Sequence, residues 1–150
     1  MNQGSGGRDR GGRVQGSGIR GLGSGVRESM NFESYRDLKV WQEAMDLVVE
    51  CYGITREFPK SETFGLSGQL QRAAVSIAAN VAEGRSRQHT KEFLQHLSIA
   101  YGSLAELETH LQIAERLNYI DSNRSKQLLD KASTIGRMLN GLRKSLKQKT

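Results

Sequence analysis

Three histidines are the first residues of this chain that could do chemistry. His89, His96 and His110 differ by multiples of seven, so on a continuous helix they share one edge. Side chains two turns apart stand roughly 10 Å from each other along the axis, too far to share an ion within one chain. The Glu-x-x-His step of di-iron bundles is three, whereas Glu92 to His96 and Glu106 to His110 are steps of four. The spacing predicts solvated or boundary histidines and no metal. Cys51 is the single cysteine; with no second thiol to bridge and no histidine pattern beside it, it reads as a packed or boundary thiol. There is no Gly-x-Ser-x-Gly elbow, no phosphate loop ending in Gly-Lys-Ser/Thr and no cysteine pair for zinc. Gly16-Ser-Gly-Ile-Arg-Gly21 has dinucleotide-fingerprint spacing, but no strand precedes it and no helix pattern follows. The sequence predicts no catalysis and no cofactor.

Two constellations suit binding instead. Gln69, Arg72, Ser76, Asn80 and Glu83 follow one another at offsets of three and four, which places them in a helical stripe roughly 80° wide. Three readings of this line stay open: a solvated face, a partly buried hydrogen-bonded seam that fixes register, and a ligand or nucleic-acid site. In the second, Arg72 reaches Gln69 and Ser76, and Glu83 pairs with Arg87. The other constellation is basic: Arg85, Arg87 and Lys91 follow the polar line, and Arg143, Lys144, Lys147 and Lys149 close the chain.

The elements that must position these residues are helices. Apolar residues recur at steps of three and four from Tyr35 onward. Leu38, Trp41, Met45, Val48 and Tyr52 predict the seam of a first helix ending near Phe58, because Pro59 disfavours helix in the residue before it. A second helix is expected from about Leu66 to Glu83, stopped by Gly84 in a left-handed conformation. Thr90 is a plausible cap for a third, whose seam is Phe93, Leu97, Ala100, Leu104, Leu107, Leu111 and Ala114. Asn118-Tyr119 breaks that seam, and Asp121 caps a fourth with Leu128, Ala132, Ile135, Leu139, Leu142 and Leu146. Short connections make the fold an all-α, up-down-up-down antiparallel four-helix bundle over residues 31–150. The second helix is unusual. Leu66, Leu70, Ala73, Ala74, Val75, Ile77, Ala78, Ala79, Val81 and Ala82 cover more than half of its circumference. Ala74, Ala78 and Ala82 would let another backbone come close, from the same chain or another subunit, and a homo-oligomer accounts for the excess.

Bulk properties set outer bounds. A chain of 150 residues, 36% hydrophobic and 25% charged, suits one soluble domain. No apolar run approaches the roughly 20 residues that span a bilayer, and no secretory core opens the chain, so the expectation is cytoplasmic and without a membrane partner. Residues 1–30 hold five arginines against Asp9 and Glu28, or +3, leaving +3 of the total +6 for the remainder. Ten of the seventeen glycines fall between Gly4 and Gly25, so residues 1–30 are expected to be a disordered Gly/Arg/Ser-rich tail. The Gly-Gly-Arg triplets suit an RNA-binding tail, although aromatic partners are missing. The alternative is a start assigned upstream of a true initiator at Met30.

These residues also carry a resemblance. Tyr35-Arg-Asp-Leu-Lys-Val-Trp41, Phe58-Pro-Lys-Ser-Glu62-x-Phe64-Gly-Leu66, Gln69-x-x-Arg-Ala-Ala-Val-Ser-Ile77-x-x-Asn80-Val-Ala-Glu-Gly84 and Ala100-x-Gly-Ser-Leu104-x-Glu-Leu-Glu108 closely resemble the four helix bundle protein family, also called 23S rRNA intervening sequence proteins. The likeness runs from about Tyr35 to Leu146, and the block from Gln69 to Gly84 is its most specific part. It implies a bacterial cytoplasmic bundle that assembles into a five-membered ring. The accessory variability protein of diversity-generating retroelements looks like a relative, one that contacts nucleic acid through a basic ring surface. Two departures from the family pattern are Ala78, where proline is frequent, and Tyr101, where arginine is frequent; the first straightens helix two and the second removes a positive charge.

Two functional classes remain at this stage. One is a non-catalytic oligomeric scaffold or accessory protein with a protein partner. The other is an RNA-binding ring in which the basic residues at the ends of helices two and four, Arg85, Arg87, Lys91, Arg143, Lys144, Lys147 and Lys149, meet at one pole and contact phosphates.

Overall fold

The computed structural model describes residues 34–149, and they are helical throughout, with no strand. The disordered-tail expectation concerns residues outside this range. A single 3-10 turn, Tyr35–Asp37, precedes α1 (Lys39–Thr55); a second, Lys60–Glu62, lies between α1 and α2 (Leu66–Ser86); α3 (Thr90–Arg116) and α4 (Ser122–Gln148) complete the chain. Packing runs α1 to α2 to α3 to α4 and back to α1, with α2–α3 the most extensive seam. Sequential neighbours joined by short loops must be antiparallel, which gives the expected up-down-up-down bundle.

The strict three-four pattern of α3 is buried as read: Phe93, Leu97, Ala100, Leu104, Leu107, Leu111 and Ala114 are all core. The same holds for Leu128, Ala132, Ile135 and Leu139 of α4, while Leu142 and Leu146 pack on the core's edge. Asp121 caps α4, its Oδ1 accepting the Arg124 N–H at 2.7 Å.

The first helix departs from its reading. Its buried face is Val40, Ala44, Leu47, Cys51 and Ile54, and of the expected seam Met45 and Tyr52 are 39% and 42% exposed. Both sets repeat at three and four. The core takes the one with Ala44 and Cys51, whose small side chains let the neighbouring helices close in. The opposite flank turns Glu50 toward α4, where Arg124 (3.3 Å) and Lys131 hold its carboxylate. The helix also ends three residues early. Glu57 and Phe58 donate their N–H groups to Ile54 and Thr55 as tight turns, which tuck Phe58 into the core against Tyr119, ring centroids 5.3 Å apart.

Two boundary assignments change. Gly84 does not stop α2; the helix continues to Ser86, and the left-handed residue that ends it is Gln88, φ 64°. Gly84 is buried because α3 passes over it: a Cβ there would stand 2.7 Å from His96 Cβ and 3.0 Å from Phe93 Cδ1. Thr90 is the first residue of α3 and His89 its cap, without a side-chain bond.

Glu62 explains much of the Phe58-to-Leu66 block. Its Oε1 accepts the Leu66 N–H at the start of α2 (3.0 Å), and its Oε2 accepts the Tyr119 hydroxyl (2.9 Å), so one carboxylate ties the α1–α2 and α3–α4 connections together. Gly65 clears its path, since a Cβ there would lie 2.8 Å from Oε1. The Leu66 N–H and then the Tyr119 hydroxyl hold the Glu62 carboxyl below its ordinary value of 4.5.

Two predictions follow from these contacts. Gly84→Ala should lower the thermal midpoint, because overpacking of roughly 1–3 kcal/mol exceeds the ~1 kcal/mol gained in helix propensity. Gly141→Ala, where nothing lies within 4 Å, should raise it; equal shifts in the two variants would contradict the close approach. For Glu62 the folded state binds its proton less tightly than the unfolded chain, so its contribution is present above the unfolded carboxylate value and is lost as pH falls through the lower folded one. Thermal melts of wild type and Glu62→Gln should therefore converge as pH drops below about 4 and separate above it.

Candidate functional site

The polar line of α2 resolves into two parts. In the middle, Ser76 Oγ and Ser103 Oγ of α3 are 2.7 Å apart, and Asn80 Nδ2 donates to Ser76 Oγ (3.1 Å) and to the Ser76 carbonyl (2.9 Å). Asn80 Oδ1 lies 2.9 Å from His96 Nδ1, which must carry its proton to complete that bond. The chain Ser103–Ser76–Asn80–His96 is thus a part-buried hydrogen-bonded seam across α2 and α3. At the ends, Gln69, Arg72 and Glu83 are exposed. Arg72 bonds to neither Gln69 nor Ser76, contrary to the expected reach; its guanidinium folds back over Gly68. With Gln69, Ala73, Ser76 and Glu106 it lines an open cleft of about 430 Å³. Glu83 does pair with Arg87, at 2.9 Å.

The histidines separate in space as well as in role. His89 is exposed at the α2–α3 turn, His96 belongs to the seam, and His110 is 8% exposed. Neither ring nitrogen of His110 has a hydrogen-bond partner among the described residues, and Nε2 stands 3.8 Å from Glu106 Oε2. That burial corrects the solvated or boundary reading for this residue: α3 turns it toward α2 with Ser103, seven residues earlier. No group of three or more His, Cys, Asp or Glu side chains among the described residues could hold a metal. Burial, reinforced by the Glu50 charge, pushes the Cys51 thiol up to about 12, so it stays protonated and unreactive at neutral pH.

The basic residues divide too. Arg87 is spanned by Glu83 and by Glu92 at 3.7 Å, so its charge is compensated locally. Arg85 is half-buried, and Lys91 is exposed. On α4, Lys144, Lys147 and Lys149 are exposed, and the half-buried Arg143 lies against Tyr101 of α3, 5.7 Å from the ring centroid. Tyr101 was noted from sequence only as a departure from the family pattern, and Arg137 carried no motif; only the antiparallel register of α3 and α4 brings them beside Arg143. Ser103 and His96 were missed as seam partners for the same reason, being polar positions on a helix read for its apolar stripe.

The model describing the 23S rRNA-intervening sequence proteins matches residues 36–141. The chain belongs to this family. Among solved structures, a protein of unknown function from the S23 ribosomal protein family of Bacteroides thetaiotaomicron superposes with a TM-score of 0.64 at 24% identity, covering 70% of this chain and 98% of the other. That likeness shows the shared bundle. No curated protein matches the chain significantly. None of the described helices is long and apolar enough to cross a membrane.

If the seam holds α2 on α3, Asn80→Ala should cost about 1–3 kcal/mol, because it leaves Ser76 and His96 part-buried with a partner removed. Chemical denaturation of the two chains compares them directly, and an unchanged midpoint would place Asn80 on an ordinary solvated face.

Proposed function

We propose that this protein is a non-catalytic, bacterial cytoplasmic scaffold or accessory protein that works as a homo-oligomeric ring, with five subunits as the family resemblance implies. One observation carries the reading: of the apolar side chains left exposed, one set lines the α1–α2 side of the bundle, apart from Phe64, Ile99, Ile113 and Leu117, which are exposed elsewhere. Met45, Val49 and Tyr52 of α1, at steps of four and three, are 39%, 67% and 42% exposed, and Val75 of α2 is 40% exposed, with Ala79 next to it. Helical geometry sets both stripes along the α1–α2 seam, whose facing edges are marked by the Gln71 Nε2 bond to Thr55 Oγ1 (2.9 Å). A contiguous apolar surface on a folded chain marks an interaction site. Ala74 and Ala78 are buried within the chain itself, so intrachain packing absorbs part of the excess on helix two, and Val75 and Ala79 are the remainder.

The second reading is nucleic-acid binding, and it is favoured by charge placement. From Lys131 to the end the chain holds Lys131, Arg137, Arg143, Lys144, Lys147 and Lys149 and no acidic residue.

Light scattering on the full chain at tens of micromolar should give several times the 16.6 kDa monomer mass. Val49→Glu should collapse it toward the monomer with helical circular dichroism intact, since an exposed position costs folding little. A wild-type monomer would refute the oligomer, and an unchanged Val49→Glu assembly would move the interface elsewhere.

A further inference from the structure

We propose that the groove between α3 and α4 binds single-stranded nucleic acid, with Tyr101 as a stacking platform for a base and Arg137 and Arg143 as phosphate contacts; this rests on the nucleic-acid reading above. The groove is a cleft of about 210 Å³ whose lining includes Tyr101, Ser133, Gly136, Arg137 and Asn140. Tyr101 is 40% exposed, an aromatic ring presented to solvent on the flank of a bundle that has an ample core for it. The Arg143 guanidinium stands over that ring and donates to Asn140 Oδ1 at 3.1 Å. Arg137 donates to Ser133 Oγ (3.0 Å) and Thr134 Oγ1 (3.1 Å). These partners are neutral: they orient the two guanidinium groups and leave their charge uncompensated. Neither arginine forms an ion pair with a carboxylate among the described residues. That separates them from Arg87, held by two glutamates, and from Lys131, held by Glu50.

The occupant follows from the chemistry. Cations in line with a flat aromatic and neutral hydrogen-bonding side chains are what a polyanion with exposed bases requires, the anion meeting the arginines and the base meeting the ring. An acidic peptide would use the cations and leave the ring without a partner. A headgroup layer is flat and does not enter a concave groove. A duplex keeps its bases stacked inside and offers the ring no face, and a groove between helices roughly 8–10 Å apart is too narrow to admit it. Glu108, the one carboxylate lining the cleft, disfavours phosphates at its own end, so the backbone path runs toward Arg143 and Lys144. The contacts therefore move from the pole, where Arg87 is neutralised, to the flank.

The test is anisotropy of a fluorescein-labelled oligouridylate of about 12 nucleotides titrated with the full chain, whose N-terminal arginines are the same in every variant compared. Binding should weaken steeply with salt. Tyr101→Ala should weaken it on the order of ten-fold, within the range that loss of one base stack allows, while Tyr101→Phe and Tyr101→Trp keep wild-type affinity and show that the fold is intact. Arg137→Gln and Arg143→Gln should each flatten the slope of log affinity against log salt by about 0.7, and Glu108→Gln should tighten binding. If the oligonucleotide binds but Tyr101→Ala binds as wild type does, the groove is not the site although the nucleic-acid reading stands. If it does not bind even at low salt, both fail. Polyglutamate bound in its place, with affinity insensitive to Tyr101→Ala, would assign the cations to acidic polypeptides and overturn the proposal.

Discussion

Gly84 lies so close to α3 that a single added methyl group would meet His96 Cβ at 2.7 Å, and two turns away Ser76 and Ser103 touch through their hydroxyls at 2.7 Å. These two contacts pin α2 to α3 at points roughly 12 Å apart along the helix. One permits no larger residue, and the other permits no sliding without stranding part-buried hydroxyls. Because α2–α3 is the most extensive seam in the molecule, its spacing determines where α1 and α4 can dock on either side. It also decides the fate of the polar line on α2. Once Ser76 and Asn80 are committed to Ser103 and His96, they are structural, and what stays accessible is the surface farther around the bundle.

Charge is allocated by the same logic. Glu50 of α1 draws Arg124 and Lys131 of α4 onto the α1–α4 seam, the least extensive of the four. Glu83 and Glu92 occupy Arg87 at the α2–α3 turn, and the Arg87 hydrogen bond first, then the neighbouring His96, hold the Glu83 carboxyl below its ordinary range. Exposed pairs of this kind contribute little to stability. Their consequence is subtraction: Arg87, Arg124 and Lys131 are compensated, whereas Arg137 and Arg143 of the α3–α4 flank form no ion pair among the described residues, with Glu108 the one carboxylate lining their cleft. The modest excess of +3 beyond residue 30 therefore understates the local field on that side.

How much of this could be read from residues alone depended on whether a pattern had a competitor. On α3 a single unbroken three-four alternation allowed only one buried face, and every residue in it is core. On α1 two interleaved alternations competed. The bulkier one, with Trp41, Met45 and Tyr52, was the more hydrophobic in appearance, and the smaller one won because Ala44 and Cys51 let helices approach. Gly84 showed the same ambiguity in miniature: a glycine near a helix end signals a left-handed stop as readily as a close crossing, and only the position of His96 and Phe93 discriminates between them. The bundle and the Glu83–Arg87 pair were legible because both are local in sequence. The seam partners of Ser76 and Asn80 and the Tyr101–Arg143 contact were not, since each depends on the register between two helices, which no single-helix periodicity encodes.

That register also separates the two outward surfaces. With packing that runs α1, α2, α3, α4 and back to α1, the α1–α2 and α3–α4 sides lie across the bundle from each other. The first carries exposed apolar residues and the second uncompensated arginines around an aromatic ring. Burial of the first against another copy would remove apolar area from water and be insensitive to salt, whereas engagement of the second releases counterions and weakens as salt rises. Because they are opposed, a contact through α1–α2 would leave the groove of the same subunit open, and a ring whose second contact surface lies away from α3–α4 would repeat that groove once per subunit. In such an assembly, a strand long enough to reach neighbouring grooves would meet each further copy at high effective concentration, so that a groove of weak individual affinity would act through its multiplicity.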